Sequence, residues 1–426
     1  MASHESIVER YRAVRALSLA IAAPLSVEDQ GVQSMPDASP TKWHLAHTSW
    51  FFETVVLHAY APRYRVFDER FAPLFNSYYE SLGPRHPRPQ RGLLTRPAHH
   101  EVLNYRTHVD EAMIAFLARC DLDTWPAAAP MIELGLSHEQ QHQELMLTDI
   151  KHAFSLNPLR PAWGTAPPSG PSARTAPCWL SFAGGESLIG HGDPSFSFDN
   201  EMPRHPVRLS PYALAQRPVS CGEYAEFIAD GGYRRPELWL SDGWAAVQSQ
   251  GWQAPLYWDT QAGPPARLFT LYGDRDVHDD EPVCHLSFYE AAAFADWAGA
   301  RLPTEFEWEH AAQSHDPACP TDTPGLSLEA LDPHPRCQAR TEPTHGVQQR
   351  FGAVWQWTRS SYDPYPGFRP LAGAVGEYNG KFMISQVVLR GSSCATPAGH
   401  SRSTYRNFFP PGARWQFAGL RLARDL

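Results

Sequence analysis

The sequence predicts an α+β chain: a four-helix bundle over residues 1–156, a linker at 157–177, and an irregular α+β unit over 178–426. Three observations predict it. Up to about Leu156, apolar residues recur every three to four positions in four long segments, the count of a helical bundle. From Asn157 to Pro171, proline and glycine crowd the chain and break any regular period. Beyond that point turns become dense, and Gly, Trp and Pro punctuate short strands with few long helices.

The first helix is expected from Ser6 to Ala22. Glu5 and Glu9 precede the apolar stretch Ala16–Ala23, which argues for an amphipathic helix rather than a secretory leader. The second runs from Thr41 to Tyr60, with Trp43, His47, Trp50, Phe51 and Thr54 on its inward face. The third spans Ala98 to Ala118. The fourth spans Met131 to Phe154, and its stripe of Leu134, His138, Gln141, His142, Leu145, Asp149 and His152 is apolar but repeatedly interrupted by polar groups. A Pro- and Asp-rich stretch from Ser314 to about Gly346 carries no period and reads as a surface excursion.

Those interruptions carry the chemistry. Residues i and i+4 of a helix stand on one face, so His138 and His142 can grip one ion, and Gln141 sits beside them. An isolated H-x-x-x-H is also met as a hydrogen-bonded core pair. The second helix supplies a third imidazole: His47 faces inward and is the expected ligand, while His44 points along the edge and suits a hydrogen-bonding role. Three neutral ligands leave coordination positions open, as catalytic sites require, but imidazole suits Fe, Zn, Cu and Ni alike. The 46 acidic against 36 basic residues, a net charge of −10 and no Lys/Arg block argue against a nucleic-acid partner. No apolar run reaches the length of a membrane span. Seven scattered cysteines without a C-x-x-C suit free thiols, and a cytoplasmic location is expected.

The second half carries an ordered series of motifs: Gly184-Gly185 with Ile189-Gly190, the Phe198–Val207 stretch, Arg217–Tyr224, Arg301–Glu309, Gly352-Ala-Val-Trp355-Gln-Trp357-Thr, Arg390–Cys394 and Gly419–Ala423. Together these resemble the formylglycine-generating-enzyme (sulfatase-modifying factor) domain, a C-type-lectin-like fold. The helical half, with His47, His138 and His142, resembles the DinB-like metal-binding bundle. In this order the two resemble the ergothioneine-biosynthesis sulfoxide synthases, which are non-haem iron enzymes. The resemblance implies Fe(II) on the three histidines, O2 as co-substrate, and joining of sulfur to imidazole C2 of hercynine, the betaine of histidine. It implies that Gln141 orients the hercynine imidazole and that Asn407, with Phe408 and Phe409, holds the amino-acid end.

In the loop from Asn76 to Gly92, arginines spaced by three would present guanidinium forks to a carboxylate. Arg88 and Arg91 best match the family's sulfur-donor anchors, with Arg85 in reserve. A tyrosine that delivers a proton near the iron is expected at Tyr78 or Tyr79. Members using γ-glutamylcysteine tend to carry aspartate where Phe409 stands, so cysteine is the first expectation for the donor and a selenosugar, as in selenoneine synthases, is the alternative. A formylglycine-generating reading lacks the second cysteine it needs after Cys394. A lectin-like binding module on a structural bundle is the reading from another class.

Overall fold

The computed structural model describes residues 4–165, 178–259, 266–313, 322, 325–335, 346–377 and 379–426. The second half of the expected linker and most of the expected excursion lie outside these residues. Within the excursion, Leu326 is buried and pairs with Pro397, so this part packs on the body of the protein.

Four helices form the bundle: α1 (His4–Ala22), α2 (Thr41–Phe51), α3 (His99–Arg119) and α4 (Trp125–Leu156). After Phe51 the chain of α2 widens into one π turn, Phe52–Leu57, before a last turn at His58–Tyr60. The start of α4 lies at Trp125 instead of Met131. Pro126 sits in the first turn, where its missing N–H has no partner anyway, and Pro130 removes one further bond that the long helix absorbs. Gly135 lets α2 and α4 approach closely, since a Cβ there would lie 2.6 Å from the Phe52 ring. The middle of the bundle is polar but satisfied. Glu139 of α4 accepts from Arg15 at 2.9 Å, Ser18 at 2.6 Å and Arg106 at 2.5 Å. Among the described residues no helix is long and apolar enough to cross a membrane, and no cysteine is paired.

In the C-terminal unit a four-stranded sheet runs in the order Asn407–Phe409, Val387–Gly391, Trp355–Ser361, Ala418–Leu420. The last pair is parallel and the others antiparallel. A separate three-stranded sheet brings Trp179–Phe182 and Ala423–Asp425, from opposite ends of the unit, onto Tyr212–Ala215. The motif residues are the framework of this unit. Trp357 Nε1 donates to Leu286 O at 2.8 Å, Trp308 Nε1 and Arg421 Nε both donate to Gln356 Oε1, and buried Arg390 pairs with buried Glu309.

The two units meet along α4. Glu144 is half-buried there and accepts from Trp355 Nε1 at 2.8 Å, Ser393 Oγ at 2.5 Å and Thr396 Oγ1 at 2.8 Å, all from the C-terminal unit. Three donors offset the desolvation that raises the carboxyl's pKa.

Candidate active site

The three expected metal ligands converge between α2 and α4. The donor atoms of His47, His138 and His142 all lie within 4.8 Å of one another, and His47 Nε2 is 3.1 Å from His138 Nε2. Two nitrogens each about 2.1 Å from one ion sit about 3 Å apart when they subtend a right angle, so this spacing fits adjacent positions of one coordination sphere. Burial pushes all three imidazoles to lower pKa, His138 to about 3, so each is neutral with a lone pair to offer. The ring of His47 is held between those of Trp43, stacked at 4.6 Å, and Trp50, stacked at 5.6 Å. Its Nδ1–H donates to Phe75 O at 2.6 Å, which leaves Nε2 facing the site.

His142 is oriented by a chain of hydrogen bonds. Asp149 Oδ2 lies 3.1 Å from His44 Nε2, and His44 Nδ1 lies 2.7 Å from His142 Nδ1. A carboxylate accepts, so His44 carries its proton on Nε2 and accepts at Nδ1. His142 therefore donates from Nδ1 and its lone pair sits on Nε2. His44 thus has the hydrogen-bonding place the sequence assigned it. Groups behind a metal ligand are worth about 10–100-fold in metal affinity. His44→Ala and Asp149→Asn are expected to weaken divalent-metal binding by that factor in an anaerobic titration, with full loading still reached at excess metal; unchanged affinity in both variants would contradict the orienting role.

His138 and His142 reach the wall of a cavity of about 420 Å³, with His47 buried behind them. The cavity lies between the units. From the bundle side Gln141, Tyr78, Arg85, Arg88 and Arg91 line it, and from the C-terminal side Asn407, Phe408 and Phe409 do. The expected residues therefore come together with two exceptions of detail. Tyr79 is not on the wall; it is fully buried against Trp50 and Phe51, behind Tyr78. Arg85 is committed to Glu80 at 2.8 Å.

The remaining arginines differ in kind. Arg88 is exposed and donates to Asp37 O. Arg91 is only 4% exposed, lies 3.4 Å over the Trp43 ring and donates to Ser39 Oγ and Ser77 Oγ, yet among the described residues it has no carboxylate ion pair and its Nε has no partner. Burial, with Arg88 and Arg85 nearby, disfavours its charge. A guanidinium keeps its proton, so an entering anion is what relieves this arrangement.

Other wall residues escaped the sequence reading. Gln141 Nε2 donates to Tyr405 Oη at 2.5 Å, which fixes the amide beside the histidines. Phe408 stacks on Tyr362 with centroids 4.0 Å apart, and Phe409 packs edge-on against Trp415. Tyr405 stands two residues before Asn407, but nothing in the local spacing shows that it meets a helix of another unit.

Comparison with known proteins agrees with this architecture. Residues 165–320 and 329–426 match the sulfatase-modifying factor enzyme 1-like domain, and residues 10–146 match the DinB superfamily. The hercynine oxygenase of Mycolicibacterium thermoresistibile is 34% identical over 420 residues, covering 92% of this chain and 88% of that protein. The hercynine oxygenase of Mycobacterium tuberculosis is 34% identical over 407 residues, covering 92% of each. Ergothioneine biosynthesis protein 1 of Schizosaccharomyces pombe is 26% identical over 239 residues, covering 54% of this chain and 28% of that one. A bundle of the DinB superfamily leading into a sulfatase-modifying-factor-like domain, with relatives matched along nearly its whole length, places this chain in the hercynine oxygenase family.

Proposed function

We propose that the protein is a non-haem Fe(II)- and O2-dependent enzyme that joins the sulfur of a small thiol to imidazole C2 of hercynine and oxidises it to the sulfoxide, a step of ergothioneine biosynthesis. The balance is one hercynine, one thiol and one O2 giving one sulfoxide and one water: the C2–H and S–H bonds break and a C–S and an S–O bond form. The observation that carries this reading is the placement of three neutral, convergent imidazoles beside a cavity that also receives Arg91, a buried arginine with no carboxylate ion pair among the described residues. Iron bound by His47, His138 and His142 would supply the electrons that activate O2.

Gln141, fixed by Tyr405, presents its amide to the hercynine imidazole. The ring faces of Tyr405 and Phe408 suit the trimethylammonium group, at about 0.5–2 kcal/mol per cation–π contact. Tyr78 on the cavity wall is the proton donor, with Tyr79 hydrogen-bonded behind it; burial raises the Tyr78 pKa and keeps the phenol protonated. Arg91, assisted by Arg88, receives the donor's carboxylate. Phe409 offers no partner to the ammonium of γ-glutamylcysteine, which favours free cysteine. A selenosugar donor is the second reading, favoured by Asn200 Oδ1 and Gln386 Oε1, buried acceptors on the cavity-lining residues that have no partner among the described residues and suit hydroxyl groups. Against a lectin-like module stand the convergent histidines and the oxygenase relatives along nearly the whole chain.

Anaerobic reconstitution with Fe(II), then hercynine, O2 and separately cysteine, γ-glutamylcysteine, a thiosugar or a selenosugar, with products read by mass spectrometry, tests the reading. Coupling at C2 with cysteine is the expected result. Iron-loaded protein that couples hercynine to none of the four donors would sink it. In the same assay Arg91→Ala is expected to raise the donor KM by roughly 10–150-fold, the value of a hydrogen-bonded charge contact of about 1.5–3 kcal/mol, and to leave the hercynine KM unchanged. Arg88→Ala, at an exposed position, should do less; an equal rise for both substrates would remove Arg91 from the donor site.

A further inference from the structure

His400 lies in the loop between the Val387–Gly391 and Asn407–Phe409 strands and lines the cavity. It is 2% exposed, and neither ring nitrogen has a hydrogen-bond partner among the described residues. Two unmet polar atoms on one buried ring are unusual, since each costs about 1–3 kcal/mol when nothing satisfies it. The ring is held by aromatic packing instead, edge-on to Tyr405 at 5.1 Å and to Phe198 at 6.2 Å. Burial and the neighbouring Arg402 keep the imidazole neutral, so it offers one N–H donor and one acceptor.

The charges around it narrow what it can receive. On this wall Arg402 is committed to buried Glu201 at 2.8 Å and Arg406 to Glu305 at 2.8 Å. The cavity-lining arginines without a carboxylate ion pair among the described residues, Arg88 and Arg91, belong to the bundle loop and were assigned above to the donor. A substrate carboxylate on the His400 side must therefore be met by neutral donors. That suits a betaine, which carries its own positive charge next to its carboxylate and needs no second cation. Tyr405 stands between Gln141 and His400: Gln141 Nε2 donates to its Oη at 2.5 Å, and the His400 ring packs edge-on to its ring at 5.1 Å.

We propose that His400 is a substrate-binding residue whose ring N–H receives the carboxylate of the betaine substrate, and that it makes the enzyme specific for a carboxylated imidazole. This rests on the functional reading above.

The test measures anaerobic binding to the Fe(II)-loaded full chain by calorimetry, with hercynine and with its decarboxylated analogue, trimethylhistamine. His400→Phe keeps the ring packing against Phe198 and Tyr405 and removes the donor, and His400→Gln restores an N–H. His400→Phe is expected to weaken hercynine about 10- to 100-fold while leaving trimethylhistamine unchanged, and His400→Gln to recover part of the loss. Iron stoichiometry and melting temperature at parental values show that the variants are folded and loaded. Parental hercynine affinity in His400→Phe, or an equal loss for both ligands, overturns the assignment of His400 alone. Failure of the parent chain to bind hercynine at all overturns the functional reading, and this one with it.

Discussion

Alanine at His47, His138 or His142 is expected to reduce bound iron from one equivalent to none and to bring coupling below detection. On the proposed ligand set each imidazole is a third of the protein's hold on the ion, and removing one leaves two neutral ligands that compete poorly with water. The effect should exceed that of His44→Ala, because His44 only orients a ligand. The fold should survive. In the apo chain these rings are buried at the expense of solvation, as their lowered pKa values show, so their loss removes an unfavourable term along with some packing. His47→Ala leaves the largest gap, between Trp43 and Trp50, and should lower the melting temperature most of the three. Iron content by inductively coupled plasma spectrometry beside far-UV circular dichroism checks this. A variant that keeps one equivalent of iron would remove that residue from the ligand set.

The largest effect on stability is expected from Glu139→Ala, at about 3–5 kcal/mol. Its carboxylate is fully buried between Arg15 and Arg106, and its removal strands two buried guanidiniums near the middle of the bundle. Burial by itself would raise the Glu139 carboxyl, but Arg106 and Arg15 override it and hold the pKa down at about 2. The sign of the pH dependence follows. A carboxyl whose pKa is depressed on folding stabilises the folded state above its unfolded value, near 4.5, and that contribution is lost as the pH falls from there toward 2. Urea midpoints of the helical signal should therefore fall steeply over this interval in the parent chain and less steeply in Glu139→Gln. A cost below about 1 kcal/mol for Glu139→Ala would show that the bundle relaxes to hydrate both arginines.

How far the sequence reaches is clearest at particular residues. The helical period put His138 and His142 on one face and turned His47 inward, and the structure brings their donor atoms together. The same period could not start α4 correctly, because Pro126 and Pro130 mask six helical residues. In the loop from Asn76 to Gly92 there is no period at all. Tyr78 and Tyr79 are adjacent and alike in composition, and only the turn of the backbone puts one on the wall and the other behind it. The arginine spacing likewise said nothing of burial, which separates Arg91 from Arg85 and Arg88. Glu144 reads as one more polar residue of an amphipathic helix, since its partners Trp355, Ser393 and Thr396 lie more than 200 residues away in the chain. His400 falls among Gly, Ser and Pro, where sequence marks a loop and nothing more.

Glu144 also sets how accurately the site is assembled. It stands two residues beyond His142 on the same rigid rod, and its three contacts fix both the rotation and the slide of that rod against the opposite wall. The distance from metal to substrate pocket is thus referenced to a single part, so errors from the intervening loops do not add up across it.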